Sequence, residues 1–228
     1  MKGVSFKMVH VEGGTFMMGN SQIDNSTIFN ERPAHEVILS DYWIGETQVT
    51  QALWKAVMGD NPSEFTGDPN LPVDSVSWLD CREFIRELNM LTGKRFRLPT
   101  EAQWEFAARG GNLGKNSHNQ FAGSFDLYDV AWYDESSKNK THPVGELYAN
   151  ELGLYDMSGN VWEWCNDWFD HNYYLNSPKN NPTGATSGKS RINRGGSWRS
   201  DSIRCRVLFR GFGVPTDAGN NMGLRLAL

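Results

Sequence analysis

Hydrophobic and polar positions alternate in short runs at the start of the chain. Val9 to Val11 leads through Gly13-Gly14 into Thr15-Phe16-Met17-Met18, which stops at Gly19. A polar loop follows, and Glu36-Val37-Ile38-Leu39 then repeats the pattern. Runs of this length, bounded by glycine and polar clusters, predict strands. Tyr42 to Ile44 continues the last of them after a turn at Ser40-Asp41. The period then changes to a helical one. Thr50 caps a helix over 51–58, which Gly59 and Pro62 end. Ser77 caps a longer helix over 78–91. Its Trp78, Cys81, Phe84, Ile85, Leu88 and Leu91 recur at three- and four-residue spacing, so one face is expected to be buried. Gly93 suits the C-terminal cap. Thr100 and Gln103 form a capping box for a third helix, with Trp104, Ala107 and Ala108 on its apolar face and Phe106 to one side. Beyond Gly110-Gly111 the periodicity fades. Positions 112–141 and 170–190 read as loop, and Gly153 to Trp164 reads as a turn leading into a short strand.

Composition narrows the class. The 228 residues are 39% hydrophobic and 21% charged, which describes a folded globular chain, and no linker-like run divides 1–228 into two domains. A net charge of -5 argues against a nucleic-acid partner, which selects a basic face. The chain contains no transmembrane segment, because no apolar run approaches the ~20 residues that span a bilayer. The three cysteines Cys81, Cys165 and Cys205 do not form a disulfide framework. The 9 Trp and 23 Gly point to a loop-rich fold, in which large aromatics anchor irregular backbone that glycine allows to turn.

Five ordered segments span nearly the whole chain: Gly13 to Gly19; Glu31-Arg32-Pro33-Ala34-His35-Glu36-Val37; Arg97 to Glu105; Gly153 to Trp164; and Arg194-Gly195-Gly196-Ser197-Trp198 with Gly223-Leu224-Arg225. In these segments the chain resembles the formylglycine-generating-enzyme (sulfatase-modifying factor) family. The resemblance implies an α+β, C-type-lectin-like fold of the formylglycine-generating-enzyme type. It would be loop-rich, with two main helices and small antiparallel sheets. It also implies a copper oxidase whose two thiolates, five positions apart, follow the Gly-Gly-Ser-aromatic motif. Cu(I) is soft and favours such a pair. Matching through Gly195 to Trp198 puts Ser200 at the first thiol position and Cys205 at the second. A serine hydroxyl does not replace a thiolate, so no copper is expected and no residue is expected to be catalytic. The resemblance further implies a structural calcium ion held by Asp156 and Glu163 with the carbonyls of Gly159 and Val161.

The expected functional segment is 199–222. Cys205, Arg206, Arg210, Pro215, Asp217, Gly223 and Arg225 read as frame. The residues between them fit neither a helical nor a strand period. They are Arg199, Ser200, Asp201, Ser202, Ile203 and Arg204, then Val207, Leu208 and Phe209, then Gly211, Phe212, Gly213, Val214 and Thr216, and finally Asn220 and Asn221. Arginine beside aromatic residues is the composition of interface hot spots, and small Gly and Ser give adaptable contacts. The segment resembles the variable region of proteins diversified by retroelements, which display a ligand-binding face on a fixed lectin-type scaffold. The expectation is a non-enzymatic binder of a protein ligand, displayed outside the cell, with any signal or lipid anchor lying outside this sequence. The alternatives are a cytoplasmic accessory domain and the copper oxidase itself. A competing reading buries Ile203, Val207, Leu208, Phe209 and Phe212 together as core.

Overall fold

The computed structural model describes residues 3–21 and 29–228. Part of the polar loop expected between Gly19 and Glu36 lies outside the described residues. Two antiparallel pairs open the chain. Strand β1 (Met8–Val11) pairs with β4 (Tyr42–Gly45), and β2 (Gly14–Met18) pairs with β3 (His35–Leu39). Helices α1 (Gln51–Met58), α2 (Trp78–Thr92) and α3 (Glu101–Ala108) follow. Their starts are chemical. Thr50 accepts from the Leu53 amide, and Ser77 with Asp80 and Thr100 with Gln103 close capping boxes. Gly59 and Gly93 end α1 and α2 in the left-handed conformation.

The second half builds a four-stranded sheet in the order β7-β6-β5-β8, from β5 (Trp162–Trp168), β6 (Arg191–Arg194), β7 (Gly211–Gly213) and β8 (Met222–Gly223). One turn of helix, α4 (Tyr173–Asn176), lies between β5 and β6. Two apolar clusters form the main core. One joins the opening strands to α3 and reaches Cys165, Ile192 and Val207. The other joins α1 and α2 to Trp162, Trp164, Met222, Leu224 and Leu226. Strand β5 supplies both clusters, with Cys165 in the first and Trp162 and Trp164 in the second.

Two side chains differ from what the helical stripes imply. Leu91 is 58% exposed in the last turn of α2, and only Trp78, Cys81, Phe84, Ile85 and Leu88 are buried. Phe106 is buried, since α3 is enclosed on every side and has no solvent face for a stripe to avoid. Among the described residues three helices reach eight residues or more, and β8 joins β5 in parallel beside the antiparallel pairs of the small sheets. Among the described residues, no helix is long and apolar enough to cross a membrane.

Candidate functional site

The segment that follows β6 is held by a set of buried arginines. Arg194 is fully buried and donates to the carbonyls of Val207 (3.0 Å), Leu208 (3.2 Å) and Phe209 (2.9 Å) while pairing with Glu105 at 2.5 Å. Arg206 turns inward to Glu31 at 2.7 Å. Arg210 makes a two-pronged pair with Glu101, at 2.7 and 2.8 Å, and donates to the Asn30 carbonyl at 2.8 Å. Its guanidinium also lies 4.0 Å over the Tyr174 ring. Burial disfavours a lone charge, but the facing carboxylates win. Arg194 and Arg210 are held above the usual arginine range, and Glu105 is held below the usual carboxylate range by Arg109 and Arg194 against its burial. A buried ion pair adds little net stability, but losing one partner leaves an uncompensated charge. The pairs therefore fix where the loop backbone runs.

Between these anchors the side chains point outward. Ile203 is 46% exposed, Phe212 49% and Val214 44%. Arg199, Ser202, Arg204 and Thr216 are exposed as well. Phe212 lies on the edge strand β7 and stacks on Phe169 at 4.0 Å, so one face of the ring is packed and the other is open. A groove of about 850 Å³ runs beside it, bounded by Arg199, Arg204, Phe209, Phe212 and Asn221 of the segment. Asn30, Trp162 and Asn193 complete the groove from distant elements that the sequence pattern did not single out. Trp162 lies in the Gly153 to Trp164 segment, whose strand reading gave no sign of a groove; Asn30 and Asn193 carry no sequence signal. Arg199 donates to Asn221 at 2.9 Å, and Arg204 is paired with Asp201.

Not every expected surface residue faces out. Val207 is 3% exposed in the first core cluster, because its carbonyl is the Arg194 anchor. Ser200 and Asn221 are buried too. Leu208 and Phe209 are half-buried, packed on the first and second clusters respectively. Gly211 has no room for a side chain, since a Cβ would stand 2.0 Å from the Asn193 side-chain oxygen. Asp201, Gly213 and Asn220 are partly covered. The competing reading fails as well, since Ile203 and Phe212 are not core.

At the thiol positions, Ser200 Oγ lies 3.0 Å from both the Ser197 amide, from which it accepts, and the Ser197 hydroxyl. Cys205 is fully buried, and burial pushes its thiol up, away from the thiolate. Gly196 sits at φ 75° with Cys205 Sγ 2.7 Å from where its Cβ would be, so glycine is required there.

The carbonyls of Gly159 and Val161 and the Glu163 carboxylate converge as the calcium expectation requires, but Asp156 joins them through its backbone carbonyl and not through its carboxylate. The point they converge on is the Gln48 side-chain nitrogen, at 3.4, 2.9, 3.1 and 3.2 Å. Glu163 is already paired with Arg225 at 2.8 and 3.0 Å and accepts from Trp104 Nε1 at 2.6 Å. The Asp156 carboxyl accepts from the Gly145 amide at 2.9 Å, and burial pushes it up to about 6. This arrangement does not fit a calcium ion, which wants carboxylate charge and oxygens at about 2.3–2.6 Å.

Fold and anchored loops together define a class: a C-type-lectin-like domain of the formylglycine-generating-enzyme type. The chain belongs to the sulfatase-modifying factor enzyme 1-like domain family, whose profile matches residues 4–228. It is 32% identical to the chaperone protein LppX of Paenibacillus barcinonensis, over 98% of this chain and 89% of that one. It is likewise 32% identical to the formylglycine-generating enzyme of Streptomyces coelicolor, over 96% and 88%. Among solved structures, Treponema denticola variable protein 1 superposes with a TM-score of 0.89 at 32% identity, covering 98% of this chain and 95% of that one. PvdO from Pseudomonas aeruginosa superposes with a TM-score of 0.83 at 26% identity, covering 96% and 93%.

Proposed function

We propose that the chain is a non-enzymatic binding protein, displayed outside the cell, whose 199–222 segment presents a face to a protein ligand. One observation carries the reading: buried anchors at Arg206, Arg210 and the Val207–Phe209 carbonyls alternate with outward side chains around an open groove. A groove with exposed Phe212 and the Arg199 and Arg204 cations suits a partner that offers apolar surface beside carboxylates. The likeness to a variable protein supports display of such a face. The test is photo-crosslinking in intact producing cells, with the reactive group at Ile203 or Phe212 and, as control, at exposed Met90 on α2. The expected result is a discrete protein adduct from 203 and 212 only. Equal labelling from all three sites, or none, contradicts the reading.

The formylglycine-generating relatives favour a second reading, copper-dependent thiol oxidation. Against it, a hydrogen-bonded serine hydroxyl and a buried neutral thiol make a poor Cu(I) site. Cu(I) titration against a chromogenic chelator is expected to show no retained copper in the native chain. Stoichiometric retention would restore the oxidase reading.

A further inference from the structure

We infer that the Gln48 side-chain amide stands in for the loop cation in this chain, so that an internal hydrogen-bond donor, and not calcium, holds the 156–163 turn. Its nitrogen faces four oxygens at 2.9–3.4 Å: the carbonyls of Asp156, Gly159 and Val161 and the Glu163 carboxylate. The amide orientation follows from chemistry. With Nε2 inward, two N–H groups are shared among four acceptors. With Oε1 inward, five oxygens would face one another without a proton between them. Gln48 is 1% exposed, and its Oε1 has no hydrogen-bond partner among the described residues, so the inward contacts decide which way the amide points.

Charge argues the same way. Glu163 is the one carboxylate among the four oxygens, and Arg225 already neutralises it from two nitrogens. That guanidinium also donates to the carbonyls of Gly45, Glu46 and Tyr155, at 2.8, 2.9 and 2.7 Å, so it is locked beside the turn. A divalent ion entering there would meet a fixed positive charge, because the Glu163 carboxylate is already paired with Arg225. A neutral donor at the same point satisfies the carbonyls without adding charge. Gln48 comes from the stretch between β4 and α1, so the amide also ties the first half of the chain to β5.

The experiment is thermal melting of the whole native chain and of Gln48→Ala, each after chelation and again with millimolar calcium. Terbium serves as a second probe, because Trp104, which donates to Glu163, lies close enough to sensitise it. For the native chain the expected result is the same Tm with and without calcium, and no terbium emission that calcium displaces. Gln48→Ala is expected to melt several degrees lower, with and without calcium. A native chain that loses Tm on chelation and regains it with calcium overturns the inference, since the amide must then turn over to admit the ion. An unchanged Tm in Gln48→Ala also overturns it. Should Gln48→Ala fail to fold, the native melts and terbium emission decide alone.

Discussion

Glutamates of three sequence motifs meet arginines of the motifs and of the 199–222 frame. Glu31 meets Arg206, Glu101 meets Arg210, Glu105 meets Arg194 and Glu163 meets Arg225, all of them buried. Removing one partner strands the other. Arg210→Met leaves Glu101 facing Arg194 at 3.5 Å as its remaining cation, and urea melts are expected to show a loss of about 3–5 kcal/mol. The outward residues behave differently. Ile203→Ala and Val214→Ala are expected to stay within about 0.5 kcal/mol of the native chain. Phe84→Ala, in the second core cluster, is expected to cost about 3–5 kcal/mol. Similar losses at both kinds of site would erase the distinction between frame and face. Asp167 gives a pH signature. Burial, then the nearby Glu101 charge, push its carboxyl up to about 8 from 3.8, with Arg210 and Arg191 opposing. The folded state therefore keeps a proton that the unfolded chain has released. That contribution is complete below about 3.8 and is lost as the pH climbs through 8. Asp156, pushed up to about 6, adds to the same fall at the lower end. Asp167→Asn keeps an acceptor for the Glu101 amide and removes the titration, so stability between pH 4 and 8 is expected to decline less steeply with pH than in the native chain. An identical slope would show that Asp167 is ionised throughout.

The elements were legible where local chemistry sets them. Thr50, Ser77 and Thr100 cap α1, α2 and α3 as their spacing predicts, and the opening strands fall within a residue of the expected limits. The sheet was not legible. Strands β7 and β8 have three and two residues, too short for a period to show, and they exist because β5 and β6 offer them ladder partners. The burial of Phe106 and the exposure of Leu91 are likewise decided by neighbours distant in sequence. In the candidate site, sequence pattern separated frame from face for Arg206 and Arg210 on one side and for Ile203, Arg204 and Phe212 on the other. It missed Val207, whose carbonyl is fixed by Arg194, and it missed Gln48, which lies outside every motif. Hydrogen bonds between remote segments leave no periodic trace in a chain.

At the scale of the whole molecule, the division of labour is spatial. Two core clusters and the arginine pairs fix a scaffold, and β5 joins the clusters so that the 199–222 backbone is clamped from beneath. What remains above the clamp contributes little to folding and is free to meet a partner. The chain belongs to a family whose relatives include a formylglycine-generating enzyme, and its own scaffold is read here as holding a binding face. The most direct test of that claim replaces Ile203, Arg204, Phe212, Val214 and Thr216 together by alanine and follows unfolding by circular dichroism. A scaffold that only displays these residues is predicted to keep a single cooperative transition, with Tm within a few degrees of the native chain. A broad, non-cooperative melt, or a Tm lowered as far as by Phe84→Ala, would show that the face is part of the fold and contradict the account.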